Sequence, residues 1–213
     1  SDLVILVTGG SSSRFEGAVF DNNGAAIKSG IMQMDCGEGV DCAGLHLPKQ
    51  DVELFNALKK LGKKVITVVI AGRPYAIPEI SENTEALLYA FYPGPRGGEA
   101  IGELIYGKKS PSGRLPVSLP RSAAQLPVYY NHPKSYSAMT YCDEKDGPLY
   151  SFGEGMGYST FRFSEIETEV TPEGITLTLM AENTGKWEDA AVLQCYRSVR
   201  VSRRVPRVRE LKA

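Results

Sequence analysis

The sequence predicts an α/β fold: a mainly parallel sheet flanked by helices, followed by part of an antiparallel β-sandwich. Three observations predict it. Continuous apolar runs at Leu3–Val7, Val65–Ala71 and Ala86–Phe91 have the composition of strands buried on both faces. Segments with helical spacing of apolar residues lie between and after them. From about Ser164 the period changes to two, as in Ile175-Thr-Leu-Thr-Leu-Met, the alternation of a half-buried antiparallel strand. The division expected is residues 1–163 and 164–213.

Each element has a local reason. Leu3–Val7 ends in a Gly/Ser loop, Thr8-Gly9-Gly10-Ser11-Ser12-Ser13-Arg14-Phe15. Gly17 to Met34 is polar and irregular, with a turn expected at Asn22-Asn23-Gly24. In the segment from Asp51 to Leu61, Val52, Leu54, Phe55, Leu58 and Leu61 make an apolar helix face, and Gly62 stands at the C′ position. Val65–Ala71 is the second strand, stopped by Gly72-Arg73-Pro74. A short helix over Ile77–Thr84 leads to the third run, which Tyr92-Pro93-Gly94 breaks. Gly98–Tyr106 reads as a helix closed by Gly107, with Ala100, Ile101, Leu104 and Ile105 on its apolar side. Ser112–Pro120 is a turn and an extended segment bounded by prolines. Later strands are expected around Ile175–Met180 and Ala191–Tyr196, with a turn at Asn183-Thr184-Gly185.

Composition excludes several classes. Charged residues make up 23% and apolar ones 42% of 213, as in an ordinary globular chain. A net charge of -1 makes no case for a polyanion partner, and no apolar run approaches a membrane span. The four cysteines (Cys36, Cys42, Cys142, Cys195) have no CxxC spacing, so neither a zinc site nor a thioredoxin-like motif is expected. Cys36 and Cys42 are near in sequence, but no disulfide framework accompanies them. The chain opens inside a strand and reads as a piece of something longer.

The stretch around which the rest is organised is Met34–Gln50. Gly37-Glu38-Gly39 sets a carboxylate between two permissive residues, Asp41 follows, and Leu45-His46-Leu47-Pro48 leads into a helix. Such loops at strand ends are where α/β proteins place chemistry. This stretch resembles the loop of glycoside hydrolase family 3 that carries the general acid/base glutamate, Gly-Glu-Gly-Tyr/Phe-Asp-Arg. The resemblance extends through Gly72-Arg73-Pro74, Tyr92-Pro93-Gly94 with Gly97-Gly98-Glu99-Ala100, Pro111-Ser112-Gly113-Arg114-Leu115-Pro116, and Tyr150-Ser151-Phe152-Gly153-Glu154-Gly155-Met156-Gly157-Tyr158-Ser159-Thr160-Phe161. All stand in the order of the family's α/β-sandwich domain. The segment from 164, ending in Arg207-Val208-Arg209-Glu210-Leu211-Lys212-Ala213, resembles the first half of the fibronectin-III-like domain that follows it.

The resemblance implies a retaining exo-acting β-glycosidase, a β-glucosidase or β-xylosidase acting on oligosaccharides or glycosides. Glu38 then matches the general acid/base, Asp41 the family's aspartate, and Arg14 lies near the sugar pocket. Read without the family, Glu38 is a solvated loop acid and Arg14 a solvated loop residue; for Arg14 both readings stay open. Cys42 stands where the family has arginine, and Glu154 where a tyrosine is common. Retaining hydrolysis needs two carboxyls about 5 to 5.5 Å apart. The family's nucleophile is an aspartate in a separate N-terminal barrel, which this sequence lacks. Asp35 and Asp41 are too near Glu38 in sequence to replace it, and Glu16 is the next carboxylate to weigh as acid/base. The expected partners are the sugar substrate and that barrel; no cofactor is implied. A secreted or periplasmic location is slightly favoured.

Other readings compete with this one. A non-catalytic carbohydrate-binding or scaffold module with the same fold is kept open by Cys42 and the absent barrel. A short-chain dehydrogenase would need glycine at positions 13 and 15, where Ser13 and Phe15 stand. Its Tyr-x-x-x-Lys is mimicked by Tyr141 and Lys145, but Gly147-Pro148 follow at once. A nucleotidyltransferase loop would need a lysine soon after Arg14, and none precedes Lys28. The basic tail Arg197, Arg200, Arg203, Arg204, Arg207, Arg209 and Lys212 has no interleaved aromatic residue, so nucleic acid is not expected.

Overall fold

A computed structural model of the chain describes residues 1–12, 19–24, 26–27, 35–37, 40, 42–135 and 140–213. The chain forms two compact units, each discontinuous in sequence. The first comprises Ser1–Gly97, Val117–Tyr130 and Ser137–Ser151. The second comprises Gly98–Pro116, Asn131–Tyr136 and Phe152–Ala213.

The first unit is built on a three-stranded parallel sheet. Strand β1 (Leu3–Gly9) is followed by a two-residue hairpin pair, β2 (Val19–Phe20) and β3 (Ala26–Ile27), antiparallel to each other. Their turn has the expected chemistry. Gly24 takes φ +83° and its N–H donates to the Asp21 carbonyl at 3.0 Å, while the Asn23 N–H reaches the Asp21 side chain at 2.9 Å. Helix α1 (Lys49–Lys60) ends with Gly62 at φ +69°, its N–H bonded to the Lys59 carbonyl. Strand β4 (Lys64–Ile70), helix α2 (Pro78–Asn83) and strand β5 (Ala86–Tyr89) complete the sheet, in the order β1-β4-β5. Strands β1, β4 and β5 and helices α1 and α2 lie where the sequence placed them, with ends moved by at most two residues, whereas β2 and β3 fall in the stretch read as irregular.

One face of the sheet carries the core. Leu6, Val65 and Val69 pack with Leu47, Phe55, Ala71, Tyr75, Ile77 and Ile80, joined by Val52 and Leu58 of α1 and by Leu149. Two polar side chains in this layer have partners. Thr67 meets Thr84, hydroxyl to hydroxyl at 2.8 Å, and Thr8 donates to Asp51 in the first turn of α1 at 2.6 Å. A buried hydroxyl without such a bond would cost about 1–3 kcal/mol. The expectation that β1 is buried on both faces is not met. Leu3, Ile5 and Val7 alternate with the core-facing residues and are 45%, 42% and 58% exposed. Strand β1 lies at the edge of this sheet, whereas the central β4 has Val65, Thr67, Val68 and Val69 all at 0%. Centrality, which composition does not encode, makes the difference.

Helix α3 (Gly97–Ile105) starts where the first unit's opening segment ends, and past Gly97 it belongs to the second unit. It closes at Gly107, φ +68°, where a Cβ would sit 3.1 Å from the Trp187 ring. The second unit also contains strands β6 (Phe161–Val170) and β7 (Ile175–Asn183), an antiparallel pair, and β8 (Tyr196–Arg197) paired antiparallel with β9 (Glu210–Leu211). The long pair is bulged between Ser164 and Glu167, with Glu165 at φ +52°. Two expectations are corrected here. The period-two residues of β7 are not half-buried: Ile175 is 65% and Leu177 45% exposed, because the pair has no third strand among the described residues. Of the strand expected over Ala191–Tyr196, only Tyr196 is in a ladder; Cys195 instead exchanges backbone bonds with Lys212 and Ala213.

The side chain of Asp189 organises this unit. Oδ2 accepts from the Ser110 hydroxyl at 2.7 Å and the Ser159 N–H at 3.1 Å, and Oδ1 from the Ala190 N–H at 2.8 Å. The Ser110 hydroxyl bond, before the backbone donors, holds this carboxyl below the usual carboxylate range.

Candidate functional site

The carboxyl ends of β1, β4 and β5 share one edge of the parallel sheet, the edge where such folds bind ligands. The segment from Asp35 to Gly44 is fastened there. The Asp35 N–H donates to the Ser11 carbonyl at 3.0 Å, just past the end of β1. Gly37 takes φ +125°, open to glycine alone, and the Val40 N–H donates back to the Gly37 carbonyl at 3.2 Å. Val40 is buried, and so are Leu45 and Leu47, which lead into α1.

Side chains following β4 and β5 hold this segment. Arg73 donates from one guanidinium nitrogen to the Asp35 carbonyl at 3.0 Å and from another to the Gly44 carbonyl at 2.8 Å. Tyr75, 1% exposed, donates its hydroxyl to the Asp35 carboxylate in a very short contact. The other Asp35 oxygen has no hydrogen-bond partner among the described residues. Tyr89 donates to the Arg73 carbonyl at 2.5 Å and accepts from the Tyr75 N–H at 3.1 Å. Burial, ahead of the opposing pull of the Arg73 charge and the push of Asp35, raises the Tyr89 phenol far above its ordinary value. Tyr92 lies 3.2 Å from the Cys36 sulfur; burial and this bond raise its pKa as well.

The approach is close throughout. A Cβ on Gly10 would fall 1.9 Å from the Tyr75 hydroxyl and 2.2 Å from the Asp35 carboxylate, and one on Gly72 would fall 2.6 Å from the Tyr92 ring. Both glycines are therefore spacers for this cluster, which goes beyond the turns and strand ends their sequence context predicts.

The three site residues expected from the sequence, Arg14, Glu38 and Asp41, lie outside the described residues, as does Glu16. Their neighbours Asp35–Gly37, Val40 and Cys42 are described, and Cys42 is exposed. Asp35, set aside as a nucleophile, is an anchor whose carboxylate is taken up by Tyr75. Cys36 and Cys42 are not joined. Sequence reasoning missed Arg73, Tyr75, Tyr89 and Tyr92 as parts of one cluster. The available signal was an arginine directly after a buried strand, in Gly72-Arg73-Pro74, but nothing in spacing ties it to Asp35, 38 positions away.

The dehydrogenase-like pair is dispersed. Tyr141 donates to the Ala124 carbonyl at 2.5 Å and Lys145 to Glu82 at 3.1 Å, with no helix beneath them. Part of the basic tail is engaged within its own unit: Arg197 with Glu210 at 2.7 Å, and Arg209 over the Tyr196 ring at 5.1 Å. Among the described residues no group of His, Cys, Asp and Glu has the arrangement of a metal site.

Comparison with known proteins is consistent along the whole chain. The family model described as the glycosyl hydrolase family 3 C-terminal domain matches residues 1–158. A periplasmic β-glucosidase of Salmonella typhimurium is 37% identical over 71% of this chain and 22% of its own length. A putative β-xylosidase of Formosa agariphila is 36% identical over 92% of this chain and 24% of its own. Among solved structures, a β-glucosidase from Erythrobacter marinus superposes with a TM-score of 0.81 at 31% identity, covering all of this chain and 27% of that one. One from Listeria innocua, in complex with glucose, gives 0.80 at 26%, again over the whole chain and 28% of the other. The chain thus spans about a quarter of the length of these relatives.

Proposed function

Because the chain belongs to glycosyl hydrolase family 3, as its C-terminal domain, we propose that it supplies the general acid/base side of a retaining exo-β-glycosidase active site. The proposed substrate is a terminal β-linked glucose or xylose unit of an oligosaccharide or glycoside, and the proposed acid/base is Glu38. The division into 1–163, the α/β sandwich, and 164–213, the start of a fibronectin-III-like domain, is part of the same proposal. So is a secreted or periplasmic location, which a periplasmic relative favours.

The observation that carries the reading is the anchoring of Asp35–Gly44 at the carboxyl edge of the parallel sheet. A loop bound at both ends to a rigid sheet can hold a proton donor against a glycosidic oxygen. In the first step the acid protonates the leaving oxygen while a nucleophilic aspartate attacks the anomeric carbon. In the second, the resulting carboxylate takes a proton from water as the water oxygen attacks the anomeric carbon and displaces the aspartate, releasing the sugar and returning both carboxyl groups to their starting states. That nucleophile belongs to the family's barrel domain, the partner proposed for this chain. Arg14 and Asp41 are proposed to contact the sugar and to shape the loop.

Leaving-group kinetics in the full-length enzyme test the assignment. Glu38→Ala should lower kcat/KM on poorly activated glycosides by about 10² to 10⁴-fold, the usual contribution of a general acid. Dinitrophenyl glycosides, which need little protonation, should suffer far less, and azide should restore turnover of the glycosyl-enzyme. Equal losses on every leaving group, with no azide effect, would move the role to another carboxylate, Glu16 first. The alternative of a carbohydrate-binding or scaffold module, which Cys42 in place of arginine keeps in view, requires that Glu38→Ala change nothing in turnover.

A further inference from the structure

We propose that Arg73 is the positioning residue of the acid loop, a single guanidinium that staples both ends of the segment containing Glu38; this rests on the reading of Glu38 given above. One nitrogen holds the Asp35 carbonyl at 3.0 Å and another the Gly44 carbonyl at 2.8 Å. Between those two residues stand Cys36 to Ala43. A loop joined to its scaffold at one point pivots about it. Tied at two points by one planar, rigid group, its ends keep a constant separation and orientation.

The staple is itself held from behind. The Arg73 carbonyl accepts from Tyr89, whose oxygen also accepts the Tyr75 N–H. The Tyr75 hydroxyl then meets the carboxylate of Asp35, the same residue whose carbonyl Arg73 grips. The Arg73 guanidinium lies 5.8 Å from the centre of the Tyr75 ring. Asp35 is therefore held through its N–H, carbonyl and carboxylate, three positions before Glu38. The rigid β4 and β5 strand ends supply the fixed frame, the arrangement a preorganised site needs.

The test uses the full-length enzyme with three variants, Glu38→Ala, Arg73→Met and Arg73→Lys, and the double variant of the first two. Methionine keeps the apolar stem and removes the donors; lysine keeps the charge but has no planar fork. Hydrogen exchange of the segment 36–43 and kcat/KM across a leaving-group series are read on each. Arg73→Met should speed exchange in that segment and lower kcat/KM on poor leaving groups by about 10²-fold, the cost of a misplacement near 1 Å. Dinitrophenyl substrates should be little affected, lysine should restore only part of the loss, and the double variant should fall no lower than Glu38→Ala.

The failures are distinguishable. Unchanged exchange in Arg73→Met, or full restoration by lysine, overturns the staple whatever Glu38 does. Faster exchange with a loss equal on all leaving groups and additive to that of Glu38→Ala makes Arg73 a structural residue and overturns its positioning role. Faster exchange with a flat leaving-group series for Glu38→Ala leaves the staple standing and removes the acid/base assignment instead.

Discussion

Tyr89 shows how one side chain joins fold to site. Its hydroxyl both donates to the Arg73 carbonyl and accepts from the Tyr75 N–H, so Tyr89→Phe strips a donor and an acceptor from a half-buried cluster. Leaving those backbone groups unsatisfied should cost about 1–3 kcal/mol, measured by denaturant unfolding of wild type and variant. The same residue sets a pH dependence. Its folded pKa is raised above the ordinary 10.0, first by burial, so above that pH the unfolded chain loses the proton while the folded one keeps it. The stability this contributes is fully present below about pH 10 and is lost as pH rises toward the folded value. Melting temperatures from pH 8 to 11 should therefore fall more steeply for wild type than for Tyr89→Phe. Parallel curves would show that the phenol is not what titrates.

Helix α1 is the element that turns a loop into a positioned loop. It begins five residues after Gly44, its first turn is tied to β1 through Asp51 and Thr8, and its apolar side lies against β4. Phe55, 0% exposed, is the largest side chain it buries. Phe55→Ala should cost about 3–5 kcal/mol through lost transfer energy and the cavity left behind. Since the helix follows one end of the segment 35–44, proposed to carry the acid, that segment should exchange faster in the folded variant too. A loss below about 1 kcal/mol by chemical denaturation would mean that the site collapses freely and that α1 is held by other contacts.

At the scale of the whole molecule, the proposed function puts the acid/base in this chain and the nucleophile in the family's barrel domain. The purified 213-residue chain should hydrolyse aryl β-glucosides and β-xylosides negligibly. Robust turnover that persists through further purification and vanishes in Glu38→Ala would show that a second carboxyl in this chain completes the site. This chain spans about a quarter of the length of its relatives.

Local physics made much of this legible in advance. The β-branched runs, the helical face of Val52, Phe55 and Leu58, the glycines after α1 and α3, and the parallel-to-antiparallel change near residue 164 all follow from side-chain periodicity and backbone sterics, which act over a few residues. The ordered motifs from Gly37 to Phe161 point to the family, because tight turns and close backbone approaches admit few residue types. What the tertiary structure alone decided concerns pairs far apart in the chain. Whether an apolar strand is central or at an edge separates Val68, at 0%, from its register partner Val7, at 58%. That Arg73 grips Asp35 and Gly44, that Tyr75 takes the Asp35 carboxylate, and that Gly10 is the spacer beneath them, depends on three strand ends meeting at one edge. The local sequence is silent on such meetings, because a hydrogen bond between residues 38 apart is specified by the packing of the sheet between them and by no feature of either segment.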